Sequence, residues 1–201
     1  MRQHFLAAAF FACLLVNGAD FARGAALDNV PLKWTPTSTL SEMGSVDISG
    51  PLLSTKISMG PLVDTRQNPS LVAENREKAD KVRQMTTSSD VAGFVADHLK
   101  DSLHGAGLTI VDSGADVSIS GEIRKFFVTE MNTYNGEIAL LIRVKNSAGK
   151  ELWAGIVSGD STRWGRSYSA ANYYETMSDM VLRATYNLLA NPAFRDALGK
   201  H

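Results

Sequence analysis

The chain has 201 residues, 44% of them hydrophobic and 20% charged, which is the composition of an ordinary globule with material for one adequate core. Lys and Arg number 20 against 21 Asp and Glu, a net charge of −1. That balance excludes the electrostatic footprint of a nucleic-acid binder, and no basic run suggests an anionic membrane surface.

The N-terminus has the order of a secretory signal: Arg2, an unbroken apolar run from Phe5 to Val16, then the small residues Gly24-Ala25-Ala26. The run is too short to cross a bilayer core. Cleavage after Ala26 puts Gly24 and Ala26 in the shallow pockets of signal peptidase, whereas cleavage after Ala19 would put Asn17 there. Cys13 is the only cysteine, and lipid attachment at it is disfavoured. Phe10-Phe11-Ala12 is a poor lipoprotein context, and Leu14-Leu15-Val16 continues the apolar run past it. Removing 26 residues leaves 175, and loss of Arg2, Arg23 and Asp20 takes the net charge to −2. The mature chain then has no cysteine, so disulfides play no part.

Residues 27–52 read as an extended arm or linker, because Pro31, Pro36 and Pro51 remove backbone donors. Lys56 to Val63 alternates as a first strand, closed by Asp64-Thr65-Arg66. Gln67 to Ser88 is rich in charge and reads as a solvated loop with a short surface helix. Ser89-Asp90 opens a helix on which Val91, Phe94, Val95, His98, Leu99 and Leu103 share one side, and Gly105-Ala106-Gly107 ends it.

Leu108 to Val111 predicts a short strand and Ala115 to Val128 a longer one, with a phase slip near Arg124–Phe127 that marks a bulge or bend. Tyr134 to Lys145 alternates most cleanly. Asn146-Ser147-Ala148-Gly149 is a hairpin turn, and Glu151 to Gly159 returns as its partner. A second helix starts at Asn172, whose pairing with Glu175 predicts a capping box; Asn191-Pro192 stops it, and Phe194 to Leu198 adds a last turn. The expected fold is α+β over residues 53–201, with a mainly antiparallel sheet of about four to five strands covered by two helices.

With these landmarks the chain resembles the YajG-like family of small envelope lipoproteins of Gram-negative bacteria. The resemblance rests on Asp64-Thr65-Arg66, Ser88-Ser89, Leu103-His104-Gly105-Ala106-Gly107-Leu108, Ala115-Asp116-Val117-Ser118-Ile119 and Tyr134-Asn135-Gly136-Glu137-Ile138, and spans roughly Lys56 to Leu198. It implies an envelope location and this fold, and carries no defined activity. The Cys13 context departs from the family's lipid-attachment signal.

No nucleophile elbow, phosphate loop or dinucleotide fingerprint occurs. His98, His104 and His201 have no Cys, His or carboxylate at ligand spacing, so no metal or cofactor is implied. The expectation is a non-enzymatic protein, periplasmic or envelope-associated, that binds an envelope protein or another cell-envelope component. A soluble carrier of a lipid or other small ligand is the alternative. Nucleic acid is not an expected partner, and the membrane is one only if Cys13 is lipidated. The candidate binding surface is Arg163, Trp164, Arg166, Tyr168 and Tyr174, since aromatic and arginine side chains are enriched at binding hot spots.

Overall fold

The computed structural model describes residues 26–200 apart from 79. The signal-like segment and Cys13 therefore lie outside the described residues. The centre of the fold is β5 (Val117–Glu130), which pairs along its whole length with antiparallel β6 (Thr133–Asn146). β6 pairs in turn with β7 (Glu151–Trp164). The tight β6–β7 connection is an Asx turn: the Asn146 side chain accepts from the amides of Ala148 and Lys150, and Gly149 takes φ +80°.

The opposite edge of β5 is shared end to end by two strands. β1 (Lys56–Asp64) runs parallel to residues 117–123, and β2 (Leu71–Asn75) runs parallel to residues 128–130. β3 (Arg83–Thr86) returns antiparallel to β2, and the short β4 (Thr109–Ile110) runs parallel to β1.

This corrects the expected sheet. Among the described residues it has seven strands, not four to five, and it is mixed, not mainly antiparallel. Two physical reasons account for the difference. Between β1 and β5 the chain passes through α3 (Val91–Gly105), and a crossover helix returns the chain to the end it left, so the next strand runs parallel. The polar segment after Arg66 also hides two strands, because only Val72, Ala73 and Met85 among its described residues supply a buried apolar face.

Where β1 stops and β2 begins, β5 has a backbone gap, and Arg66 fills it. Its guanidinium donates to the carbonyls of Phe126 (3.0 Å), Leu71 (3.1 Å) and Pro69 (2.6 Å), and it grips both oxygens of Asp64 at 2.9 and 2.7 Å. The guanidinium also lies 5.6 Å from the centre of the Phe126 ring. A planar fork that satisfies carbonyls and a carboxylate together is a task for arginine and not lysine. The β5 register shifts between Ile123 and Lys125, at the predicted phase slip.

The helices pack on one face. α3 buries Val91, Val95, Leu99 and Leu103, and is capped by Asp90, which accepts from the Ala92 amide. α4 (Ala170–Ala190) lies on β6 and β7. It can approach closely because Gly136 and Gly159 present no side chain: a Cβ on Gly159 would collide with the Met180 carbonyl and the Ala184 amide. α5 (Pro192–Gly199) starts with Asn191, whose side chain accepts from Ala193 and Phe194, and with Pro192 in the first turn. The expected capping box at Asn172 does not form. The helix begins one turn earlier, so Asn172 is already inside it and donates back to Ser167.

Residues 27–50 form a strap over this helical layer. Leu27 and Val30 hydrogen-bond alongside β3, with Val30 donating to the Thr86 carbonyl at 3.0 Å and Thr86 donating to Leu27 at 2.9 Å. The strap crosses α3 with Trp34 stacked on His98 at 4.1 Å. It is pinned to α4 where the Thr35 amide meets Ser178 (2.9 Å) and the Thr37 amide meets Asp179 (2.7 Å). Two single-turn helices, α1 (Leu40–Met43) and α2 (Pro51–Ser54), lead into β1. The opposite sheet face is open and bears Ile156, which is 72% exposed, together with the ion pairs Arg124–Glu122 and Arg143–Glu151.

Candidate functional site

Five strands finish together at one end of the sheet. Residue pairing fixes their alignment: Arg83 of β3 lies beside Asn75 of β2, Asn75 beside Glu130 of β5, Glu130 beside Tyr134 of β6, and Tyr134 beside Arg163 of β7. One position further out stand Val82, Arg76, Met131, Thr133 and Trp164. Trp164 is 83% exposed, Met131 51% and Val82 49%.

Beneath this rim is a fully buried carboxylate. Glu130 continues the core-facing series Phe126, Val128, so its side chain enters the core. It is held by hydrogen bonds: the Tyr173 hydroxyl donates to one oxygen at 2.6 Å and the Tyr168 amide to the other at 3.0 Å. Burial, then the bond to Glu130, push the Tyr173 phenol far above its ordinary range, so it stays a donor at any accessible pH.

The loop from β7 to α4 is fastened onto this group. Tyr168 adopts φ +43°, a conformation that costs a non-glycine residue on the order of 1–3 kcal/mol. It is retained by its buried ring, by its hydroxyl donating to the Gln84 carbonyl at 2.6 Å and by the Arg83 guanidinium 4.0 Å from its ring centre. Tyr134 meets the same loop, accepting from the Ser167 amide at 3.2 Å.

The structure therefore divides the sequence-predicted site residues. Arg163, Trp164, Arg166 and Tyr168 come together at the sheet end. Trp164 and Arg166 face solvent there. Arg163 is half-buried, ion-paired with Glu175, and donates to Asn172 at 3.3 Å. Tyr168 is the buried anchor of the loop. Tyr174 is buried on α4 and turns to the strap, where the Lys33 ammonium lies 5.7 Å from its ring centre. Sequence reasoning missed Glu130, Met131 and Val82. The legible signal was Glu130 itself, a charge on the apolar register of a strand.

A second feature lies under the strap. Trp34, Leu40, Val46 and Ile48 face Leu182 and Leu189 of α4 across a groove of about 620 Å³. His98 and Asp101 edge it from α3. Burial holds the His98 imidazole below its usual pKa of 6.5, with Asp101 and Asp97 opposing more weakly. His104 is exposed near the end of the same helix. Among the described residues no group of three or more His, Cys, Asp or Glu side chains is placed to hold a metal ion, and no helix is long and apolar enough to cross a membrane.

No protein-family model matches the chain, and no curated protein matches it. Solved structures do resemble it. Protein XCC0632 from Xanthomonas campestris, of family-model DUF330, superposes with a TM-score of 0.53 over 85% of this chain and 92% of that one, at 11% identity. An uncharacterized protein superposes with a TM-score of 0.51 over 82% of this chain and 97% of its own, at 6% identity. These two show that the fold is shared. A minor lipoprotein from Acinetobacter baumannii reaches a TM-score of only 0.39 over 70% of this chain and 96% of its own, at 8% identity, too loose a match to carry an argument.

Proposed function

We propose that the chain is a non-enzymatic protein of the bacterial cell envelope, exported to the periplasm, that binds another envelope component in an accessory or assembly role. Export is supported by the order of charge, apolar run and small residues over positions 1–26, and the envelope setting by the YajG-like resemblance. The non-enzymatic reading is supported by the placement of the histidines: His98 is packed under Trp34, and His104 is exposed at a helix end.

One observation carries the binding surface. Trp164 is 83% exposed, yet it ends a rigid strand next to a loop anchored by a strained Tyr168 and a buried Glu130. A large aromatic held out in water on a pre-organised frame, with Arg166 beside it, has the composition of a binding hot spot. Crosslinking in the native host followed by co-purification should recover a specific partner. The yield should fall in a Trp164→Ala, Arg166→Ala variant, and an unchanged partner profile would remove this surface from the account.

The groove under the strap favours a second reading, a carrier of a lipid or other small apolar ligand. Its volume falls in the range of small-molecule sites, and its walls are mainly apolar. Native mass spectrometry of protein from its own host would show a bound molecule. A clean apo mass with no thermal shift on adding envelope lipids would dismiss this reading.

A further inference from the structure

We propose that the free edge of β7 receives an extended segment of a partner protein as an added strand, with an acidic side chain of that segment meeting Arg183 of α4. The inference rests on the reading of the chain as a protein that binds an envelope component, and it names the partner's chemistry.

Among the described residues the sheet has three outer edges, and two of them offer little to a partner. β3 is covered by residues 27–30, which hydrogen-bond to Thr86 as an added strand would. β4 is only two residues long. β7 has fourteen residues and, among the described strands, pairs only with β6. From Trp153 to Trp164 its register runs unshifted and the sequence holds no proline or lysine, so the bulges and residues that often block an edge are missing there.

The backbone decides what this edge can take. In an antiparallel ladder each residue turns its N–H and C=O to one side, and the side alternates. The Asn187 side chain of α4 donates to the Ser158 carbonyl at 2.8 Å, which marks the even-numbered residues of β7 as turned away from β6. Among the described residues no loop or side chain hydrogen-bonds to the backbone of Ala154, Ile156, Asp160 or Thr162. Their donors and acceptors recur about every 6.8 Å along the strand, a spacing that another extended backbone matches.

Side chains set the kind of segment. α4 lies over β7 at Gly159, so Asp179, Arg183 and Asn187, each four residues from the next, overhang the edge along one side of the helix. Between them and Asp160 to Thr162 is a cavity of about 490 Å³, bordered on the strap side by Ser38 and Met43. Asp179 is taken by the Thr37 amide and hydroxyl, at 2.7 and 2.6 Å. Arg183 is half-buried and forms no ion pair among the described residues, and its guanidinium lies 5.8 Å from the centre of the Tyr186 ring. An added strand points alternate side chains at this stripe, and an Asp or Glu among them meets the guanidinium in a bidentate pair. The remaining side chains lie on the open face beside Ile156, which is 72% exposed.

The test uses the full chain and a labelled, capped seven-residue probe of alternating threonine and valine with glutamate at its centre, titrated by fluorescence anisotropy. The expected result is binding that weakens about tenfold when lysine replaces the glutamate, and by a similar factor in Arg183→Met. Methylating one alternate set of probe amides should abolish binding and methylating the other should leave it, because only one set faces β7. Asp160→Pro removes an outward amide and leaves the β6 ladder intact, so it should weaken binding about tenfold with little change in Tm. The methylated probes need no change in the protein, so they decide the matter even if Asp160→Pro fails to fold. No binding of the probe, indifference to which amides are methylated, or equal affinity for the glutamate and lysine probes would each overturn the proposal. So would a dimer of the chain in sedimentation that Asp160→Pro abolishes, since a second copy would then fill the edge. If the proposal falls while Trp164→Ala, Arg166→Ala still loses a crosslinked partner, the binding reading stands without the edge. If the probe binds as expected while that crosslinked profile is unchanged, the edge stands without the Trp164 surface.

Discussion

Replacing Arg66 by alanine should destabilise the fold more than its position at a strand end would suggest. The side chain is only 8% exposed and its Asp64 partner 13%, so solvent screens the pair little. Removing one partner of a buried ion pair costs about 3–5 kcal/mol, since the remaining charge loses its compensation. Here the Phe126 and Leu71 carbonyls also lose their donor, and an unpaired buried acceptor alone costs about 1–3 kcal/mol. Water entering the vacated gap at the β5 edge limits the sum, so we expect about 3–5 kcal/mol. For a chain of this size each kcal/mol lowers Tm by roughly 2–4 °C, giving a fall of roughly 6–20 °C. Arg66→Lys should recover less than half of the loss, because an ammonium cannot grip Asp64 with two parallel bonds and reach across to β5. Urea denaturation of Arg66→Ala, Asp64→Ala and the double variant measures the coupling directly. If Arg66→Ala unfolds within about 0.5 kcal/mol of the parent, the reading of Arg66 as the bridge between β1 and β2 is wrong.

Gly159→Ala should cost about 2–3 kcal/mol, because the added Cβ meets backbone of α4 that cannot move without unpacking from β7; a neutral effect in urea denaturation would show that α4 lies further away. Tyr173→Phe removes a hydrogen bond to a buried carboxylate and should cost about 1.5–3 kcal/mol, and an equal loss in a Glu130→Gln background would disprove the coupling. His98 binds a proton less tightly in the folded state than its unfolded value of 6.5, because burial disfavours the imidazolium. The unfolded chain therefore takes up more protons in this window, so stability is full above pH 6.5 and declines as pH falls below it toward the folded pKa. His98→Gln should flatten that acid limb of the Tm–pH curve, and an unaltered limb would assign it to other groups.

What the sequence reveals and what it hides follows from the range of the interactions. The α3 stripe, the β6 alternation, the Asn146–Gly149 turn and the slip near Arg124 depend on residues close in sequence, and each appears where local periodicity indicates it. The parallel pairing of β1 and β2 with β5 joins segments tens of residues apart and leaves no local period. β2 and β3 are hidden for another reason, since each is short and set among charges such as Glu74, Arg76 and Arg83. The Asn172–Glu175 spacing is misleading because the same two side chains serve the β7–α4 loop, Asn172 at Ser167 and Glu175 at Arg163. At the candidate site the aromatic and arginine composition was visible, but the division of labour was not. Tyr168 and Trp164 look equivalent in sequence, and only the buried Glu130 beneath the loop makes one an anchor and leaves the other outside.

The central claim, that the sheet end around Trp164 is the surface that meets an envelope component, is tested most directly by a photoreactive amino acid placed at Met131 in the native host. That position keeps Trp164 and Arg166 in place, and the matching control is Ser147, in the turn at the far end of the same strands. The account predicts a discrete adduct from position 131, to protein or to lipid, and none from position 147. Equal labelling at both positions, or none at 131 while other faces of the molecule crosslink, would contradict it.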